Sequence, residues 1–471
     1  MRVEEIPAGL KDTPSSSKNM ENRLEPLLEK MRKELRPSKS ELESLKKAEL
    51  ELRERLERHL PKDVEIGVMG SVAKGTALSN NRDLDIFLLF GQNYSPQQVK
   101  TKAILWAKKA MRGYECELNY AQHPYLKVKM PGVKVDIVPS FKIKNNEKLK
   151  TAVDRSQLHT VWVNAKIDSR MQDDVRLLKQ FLKTLGVYGA QSRVEGFSGY
   201  LCELLIIKYG SFEKLLKEAD SWNRPIIDIE GYHTLEQTVK MFEKAPMIVI
   251  DPVDKNRNVA AVVSRTSLSR FILAARNFLK TPSREFFFAK KISPAKSEIH
   301  SAVKRRDTHM IILQFEPPKL VEDVLWPQLK KTAHAIIAKL SRDEFRVFGH
   351  YFYADDKYAF ILIELMDWRL PALKRVLGPD VSFEKHVPAF VKMHKNAENL
   401  HAEHERIVAL EKRKNIYPKE SIEDAIRKPK ESGIPPEFAA ALRKRNYRDA
   451  KWLASERRLR EIASDYLFRK L

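Results

Sequence analysis

Two cysteines, Cys116 and Cys202, are all that the 471 residues contain. They stand far apart and without metal-ligand spacing, which excludes a disulfide framework and points to a reducing compartment. Long apolar runs are missing too. No window reaches the roughly 18 apolar residues of a membrane span, and the opening "MRVEEIPAGLKDTPSSSKNMENRLEP" has no apolar core of signal-peptide length. The expectation is a cytoplasmic protein with no membrane partner. Repeats and low-complexity tracts are absent. Acidic residues are scarce relative to basic ones: 63 Asp and Glu face 86 Lys and Arg, a formal net charge of +23. Such a surplus attracts polyanions and releases their condensed counterions, so nucleic acid is the expected partner. An anionic membrane surface or a ribosome contact is the competing reading.

What is present fits a large soluble protein. Hydrophobic residues make up 43% and charged ones 32%, and the length suggests about three domains. Residues 1–24 read as a flexible N-terminal extension. Residues 25–164 read as an α/β domain: helical periodicity on both sides of Pro37, with Ser38 or Ser40 capping the second helix and Glu43 closing a capping box. A strand, a loop and a strand follow, then the helix "KAILWAKKAM" and short strands around Pro131-Gly132. Residues 165–284 read as a mainly helical domain interrupted by "PMIVIDPVDKNRNVAA", a short apolar strand running into a charged loop. Residues 285–390 give a βαββα order with "RLPALKRVLG" as the last helix, which argues for an antiparallel sheet of ferredoxin or RNA-recognition type. Residues 391–471 read as a basic helical tail.

One stretch carries chemistry. In "GVMGSVAKGTALSNNRDLDIFLLF" a Gly-Ser pair precedes a polar loop and then two aspartates one residue apart. Asp83 and Asp85 are two apart on an expected strand, so both point to one face. Like charges so close are costly unless a cation or a basic partner sits between them. Asp136, in the apolar strand "VKVDIVPSF", offers a third carboxylate. Three carboxylates suit a two-ion Mg²⁺ site, in which the metals activate an attacking hydroxyl and hold a triphosphate. Gly70 lets backbone approach a phosphate closely, and the Ser71 hydroxyl and amide can donate to it.

Gly-Ser followed by this pattern resembles the polymerase-β-like nucleotidyltransferase superfamily. With "YAQHPY", "AVDRSQLH", "VRLLKQFLKTLGVYGA", "GFSGYLCELL" and "DPVDKNRNVA" in that order, the chain is similar over about residues 45–290 to the archaeal class I CCA-adding enzymes, tRNA nucleotidyltransferases that work without a nucleic-acid template. Beyond residue 290 the likeness rests on domain order. The resemblance implies an α+β multidomain architecture. Its parts would be a polymerase-β-like nucleotidyltransferase palm, a helical central domain completing the nucleotide site, and a ferredoxin/RRM-like C-terminal domain with a helical tail.

The resemblance also implies the chemistry and the residues. The activity would be addition and repair of the 3′-terminal CCA of tRNA from CTP and ATP, with pyrophosphate released. Asp83, Asp85 and Asp136 match the metal-binding catalytic carboxylates, and Asp136 would help deprotonate the tRNA 3′-hydroxyl. Asp83 stands where the family commonly has Glu. Gly70, Ser71 and Lys74 fall at the triphosphate, Lys74 replacing a frequent Arg and so giving a point charge instead of a fork. Lys179 and Tyr188 match the remaining triphosphate ligands, Ser156 and His159 line the nucleotide site, and His123 lies close by. Arg257 matches the arginine that helps select the incoming base. The acceptor and T arm of tRNA would contact the basic tail, and a homodimer stays open. Two alternatives also stay open: a poly(A)-polymerase-like or oligoadenylate-forming enzyme, and a non-catalytic RNA-binding protein on the same fold.

Two further features read blandly. "GFSGYLCELL" is expected to be a core helix, with Leu201, Leu204 and Leu205 on its apolar face and Gly196 and Gly199 allowing close packing or the approach of a phosphate. His394, His401 and His404 are expected on one exposed face of a helix, too few for a metal site.

Overall fold

The computed structural model describes residues 14–120, 124–143, 149–289 and 293–468, with side chains from Leu24 onward other than that of Tyr120. The chain divides into two units, residues 1–290 and 291–470. No helix among the described residues is long and apolar enough to cross a membrane.

The first unit opens with helices α1 (Pro14–Leu35) and α2 (Lys39–Glu57). Helix therefore begins at Pro14, inside the stretch expected to be a flexible extension. Pro37 separates the two helices, and Ser38 caps the second. The Ser38 hydroxyl accepts from the Glu41 amide at 3.2 Å, and the Glu41 carboxylate accepts from the Ser38 amide at 2.8 Å. The capping box thus closes on Glu41, the third residue of the helix, and not on Glu43. Glu41 also accepts from the Asn80 amide at 2.8 Å, tying this helix start to the loop ahead of the two aspartates.

Strand β1 (Glu65–Met69), a single helical turn α3 (Gly70–Ala73), β2 (Asp83–Phe90), helix α4 (Pro96–Ala110), β3 (Glu115–Tyr120), β4 (Pro124–Met130) and β5 (Val133–Phe141) complete the palm. The sheet order is β1-β2-β5-β4-β3, with β2 and β5 parallel and every other neighbouring pair antiparallel. One face is apolar: Leu84, Ile86 and Leu88 of β2 and Val133, Val135 and Ile137 of β5 share a core with Leu45, Leu52 and Leu56 of α2 and Val99, Ala103 and Ala107 of α4. Side chains alternate along a strand, so Asp83, Asp85, Lys134 and Asp136 lie on the other face. That alternation positions the site.

Helices α5 (Arg155–Lys166), α6 (Ser169–Thr184), α7 (Gly199–Tyr209) and α8 (Phe212–Ala219) follow, then β6 (Ile226–Ile227), α9 (Leu235–Met241), β7 (Ile248–Asp251), β8 (Asp254–Asn258) and α10 (Arg265–Lys280). Their core centres on Phe181, ringed by Phe212, Phe271, Phe278, Phe286 and Phe287. Leu24, Leu28, Met31 and Leu35 of α1 belong to this cluster. Arg32 donates to Asp174 of α6 at 2.7 Å and Arg36 to Asp173 at 2.7 Å. Helix α1 therefore packs with the helical part, although the sequence order assigns residues 25–35 to the palm. The "charged loop" after "PMIVID" is the hairpin strand β8. Its Asn258 carboxamide accepts from the Val249 and Ala260 amides and donates to the Met247 carbonyl.

The second unit contains α11 (Lys296–Arg306), β9 (His309–Phe315), α12 (Glu322–Arg342), β10 (Val347–Ala354) and β11 (Ala359–Leu365), in the expected βαββ order. It continues as β12 (Leu373–Asp380), α13 (Val387–Met393), β13 (Asn399–Glu403), β14 (Arg406–Lys412), α14 (Pro418–Arg427), α15 (Pro429–Ser432), α16 (Pro436–Arg443), β15 (Asn446–Arg448), α17 (Ala450–Leu453) and α18 (Arg457–Leu467). One sheet has the order β10-β11-β9-β15, the other β12-β14-β13. The second half of the expected helix over "RLPALKRVLG" belongs to strand β12: Gly378 and Pro379 disfavour helix, and β14 pairs with Leu373 through Leu377, the ladder shifting register at Gly378-Pro379. The tail is likewise not wholly helical. His394 ends α13 and bonds Glu411 at 2.6 Å, His401 lies in β13, and His404 turns the β13–β14 hairpin at φ +51°. They share no helix face. Ile422, Ile426, Phe438 and Leu442 from α14 and α16 enter the same core as Leu329 and Ile336 of α12, so residue 390 does not divide that core.

Candidate active site

Gly70 follows β1 directly and adopts φ +69°. A Cβ on it would stand 1.8 Å from Asp85 Oδ2. Glycine is required there twice over, by the left-handed backbone and by the carboxylate packed onto the turn. Gly70→Ala is expected to lower stability by about 1–3 kcal/mol and to displace Asp85. Thermal melting beside an incorporation assay checks this, the expected result being a loss of activity larger than the melting shift accounts for.

Cross-strand register then assembles the carboxylates. Asp85 of β2 stands beside Asp136 of β5, and Asp83 beside Lys134. Asp83 is exposed, while Asp85 and Asp136 are half-buried. Burial, then the charges of Asp136 and Asp83, push the Asp85 carboxyl up to about 6 against the pull of Lys74 and Lys179. Burial also raises Asp136, with Lys127 opposing and Asp83 adding to the rise. Adjacent carboxylates whose pKa values stay raised despite these lysines fit a divalent cation. Among the described residues no group of three or more His, Cys, Asp or Glu side chains is placed so that it could hold a metal ion. An open set suits Mg²⁺, which takes one or two carboxylates and completes its shell with water and substrate oxygens.

The aspartates form one wall of a cavity of about 580 Å³, also lined by Gly70, Ser71, Lys74, Lys179, Tyr188 and Glu203. Lys74, Lys179 and Glu203 are buried and form a polar floor. The Lys74 ammonium donates to Glu203 Oε2, the Thr76 hydroxyl donates to Glu203 Oε1 at 2.7 Å, and Lys179 donates to the Thr76 carbonyl and hydroxyl at 3.1 and 3.0 Å. Lys179 Nζ is 3.6 Å from Glu203 Oε1. Burial lowers the Lys179 pKa against the pull of Glu203. For Glu203 burial works upward, but the two lysines outweigh it and keep the carboxylate ionised. Tyr188 is held by a bridge to Phe197, and burial raises its phenol.

His159 and Arg257 meet elsewhere, on Asp251 at the end of β7. His159 Nε2 lies 2.9 Å from one Asp251 oxygen and Arg257 donates to it at 2.7 Å; the Tyr200 hydroxyl donates to the other at 3.0 Å. The His159 ring stacks on Tyr200 with centroids 3.8 Å apart. Tyr200 lines the main cavity, so it joins the two clusters. Ser156 lies one turn before His159 on α5, half-buried and not among the cavity-lining residues. His123 falls outside the described residues.

Burial raises the Asp251 carboxyl, but His159, the Val253 amide and Arg257 outweigh it and hold the pKa at about 2, below the ordinary 3.8. Burial depresses His159 despite Asp251, so its ring is neutral at pH 7. Both depressed values favour the fold at higher pH. The Asp251 contribution, about 2 kcal/mol, is complete above about pH 4 and is lost as pH falls toward 2; the His159 contribution fades below about pH 6.5. Asp251→Asn is expected to be less stable at pH 7 and to flatten the acid limb of stability against pH, as measured by denaturant unfolding.

Glu203, Asp251, Tyr200 and Thr76 carry little signal in the sequence. The available signals were one acid within "LCELLII" and one at the end of "MIVID". A charge within an otherwise buried run needs a partner.

Comparison with known proteins agrees with this arrangement. Residues 49–159 match a nucleotidyltransferase domain, residues 173–288 the second domain of tRNA nucleotidyltransferase, and residues 306–446 the C-terminal domain of the CCA-adding enzyme. The chain is 39% identical to a CCA-adding enzyme of Methanothermobacter thermautotrophicus over 70% of its own length and 73% of that protein's. It is 36% identical to one from Methanocaldococcus jannaschii, covering 78% and 84% of the two chains, and 35% identical to one from Archaeoglobus fulgidus, covering 85% and 89%. On its sequence and its domains alike, the chain belongs to the CCA-adding enzyme family.

Proposed function

We propose that this protein adds and repairs the 3′-terminal CCA of tRNA, using CTP and ATP and no nucleic-acid template. The observation that carries the reading is that one cavity is lined both by the Asp85–Asp136 pair and by the linked Lys74, Glu203 and Lys179 side chains. Asp83, Asp85 and Asp136 would hold two Mg²⁺ ions. Bound there, the metal supplies charge neutralisation of the triphosphate and acidification of the attacking hydroxyl.

The remaining work belongs to the chain. The Gly70-Ser71 turn brings backbone and hydroxyl donors to phosphate oxygens, and Lys74, Lys179 and Tyr188 face the same phosphates. The oxygen of the tRNA 3′-hydroxyl attacks the α-phosphorus, the bond to the bridging oxygen breaks, and pyrophosphate leaves. The hydroxyl proton passes to Asp136, whose raised pKa suits a proton acceptor. Arg257, held by Asp251, takes part in choosing the base, beside His159 and Ser156. The surplus of positive charge supports binding of the acceptor and T arm through phosphates, by shape more than by sequence.

Transcripts ending just before the CCA, given labelled CTP alone and then CTP with ATP, test the reading. Incorporation of C first and A only afterwards is the expected outcome. Incorporation of ATP into a non-tRNA oligonucleotide with none of CTP would replace it by a poly(A)-type activity.

A further inference from the structure

The palm sheet carries more than its aspartates on the open face. Register across the strands gives two rows. In the first, Asp85 is followed by Asp136, Lys127 and Glu117; in the second, Asp83 is followed by Lys134, Lys129 and Glu115. The intervening positions, Leu126, Val128, Met130, Val133 and Val135, are buried on the opposite face. Lys127, Lys129 and Lys134 are all exposed. They form a basic strip between the catalytic carboxylates and an acidic outer edge. Lys129 is paired with Glu115 in an exposed ion pair, an interaction weak enough for a phosphate to displace. The strip also has an aromatic member: the Tyr125 ring, two residues before Lys127, lies 5.9 Å from its ammonium.

The strip continues the main cavity. A neighbouring hollow of about 470 Å³, which adds Asn80, Arg82 and Gly132, shares Asn81, Asp83, Lys129 and Lys134 with it. A phosphodiester strand whose 3′ end stands at Asp136 and that follows this hollow passes Lys129 and Lys134, and its charge favours the lysines over the glutamates beyond them.

We infer that Lys127, Lys129 and Lys134 form a lane for the phosphates of the strand that supplies the attacking hydroxyl, distinct from the lysines that meet the triphosphate. Tyr125 offers that strand a face on which a base can stack. The assignment rests on the proposed CCA-adding reaction for the direction of the strand. The glutamates on β3 bound the lane by repulsion.

The test uses the full-length protein, a tRNA transcript lacking the CCA, and the triple variant Lys127→Gln/Lys129→Gln/Lys134→Gln. Binding is measured without nucleotide as a function of salt. Each lost phosphate contact removes about 0.7–0.9 from the slope of log affinity against log salt, so the variant's slope is expected to be shallower by about 2. In steady state the KM for the transcript rises roughly tenfold while that for CTP stays put. Glu115→Gln, which frees Lys129 and removes a repelling charge, is expected to lower the transcript KM. An unchanged salt slope and transcript KM overturn the lane. So does a rise in the CTP KM matching that for the transcript, which would move these lysines to the nucleotide. Failure of the wild-type protein to add CTP overturns the reaction instead, and leaves the binding slope still readable.

Discussion

Asp85→Asn combined with Asp136→Asn is expected to lower nucleotide incorporation by on the order of a thousandfold or more and, at the same time, to raise the melting temperature of the metal-free protein. The two effects have one cause. Asp85 is pushed up to about 6 by burial and by its neighbours, so the folded chain prefers this group protonated while the unfolded chain ionises it at its ordinary value. The cost to stability is absent below about pH 4, grows as pH rises, and is complete above about pH 6. Asparagine keeps the shape and removes the repulsion, a gain of about 1–3 kcal/mol at neutral pH. Added Mg²⁺ should stabilise the wild-type protein and leave the variant unmoved. Thermal melting with and without Mg²⁺, beside the incorporation assay, checks both halves. A variant that loses activity and also melts lower in the absence of metal would make the aspartates structural.

Glu203→Gln has the opposite signature. Glu203 lies between Lys74 and Lys179 with almost no access to water. Neutralising it leaves two ammonium groups buried side by side without an anion. Breaking a buried pair in this way costs about 3–5 kcal/mol, a fall in melting temperature on the order of 10 °C for a unit of this size. A triphosphate brings the missing charge, so CTP is expected to raise the melting temperature of the variant more than that of the wild type. Further substitution of Lys74 by Met should recover part of the lost stability, because it removes one of the unpaired cations, without recovering activity. If CTP stabilises both proteins equally, Glu203 and the triphosphate do not share these lysines.

The palm was the most legible part of the molecule, for a physical reason. A strand's two-residue period fixes which side chains share a face, so Asp83 and Asp85 could be placed together from "DLDIF" alone, and the parallel pairing of β2 with β5 then put Asp136 beside them. Glu203 and Asp251 give a weak signal because each is a single acid, one inside an apolar run and one at the end of one. Their meaning comes from partners 129 and 92 residues away, Lys74 and His159. Helix α1 adjoins the palm in the sequence, yet its apolar residues enter the Phe181 core and its Arg32 and Arg36 pair with Asp174 and Asp173, partners far along the chain. In the second unit the leucines of "RLPALKRVLG" imitate helical spacing, and the pairing with β14 overrides it. The spacing of the three histidines suits one helix face, but a helix end, a strand and a hairpin turn separate them.

The central claim is that one cavity joins the carboxylate pair to the lysine floor and transfers nucleotides to a tRNA end. Pyrophosphate release from transcripts ending before the CCA, measured with CTP and ATP together for the wild type and for the double variant at Asp85 and Asp136, tests it most directly. One pyrophosphate for each nucleotide joined, release that stops once the CCA is complete, and none from the variant is the predicted result. Pyrophosphate release by the variant at the wild-type rate, or release from the wild type with no extension of the transcript, would contradict it.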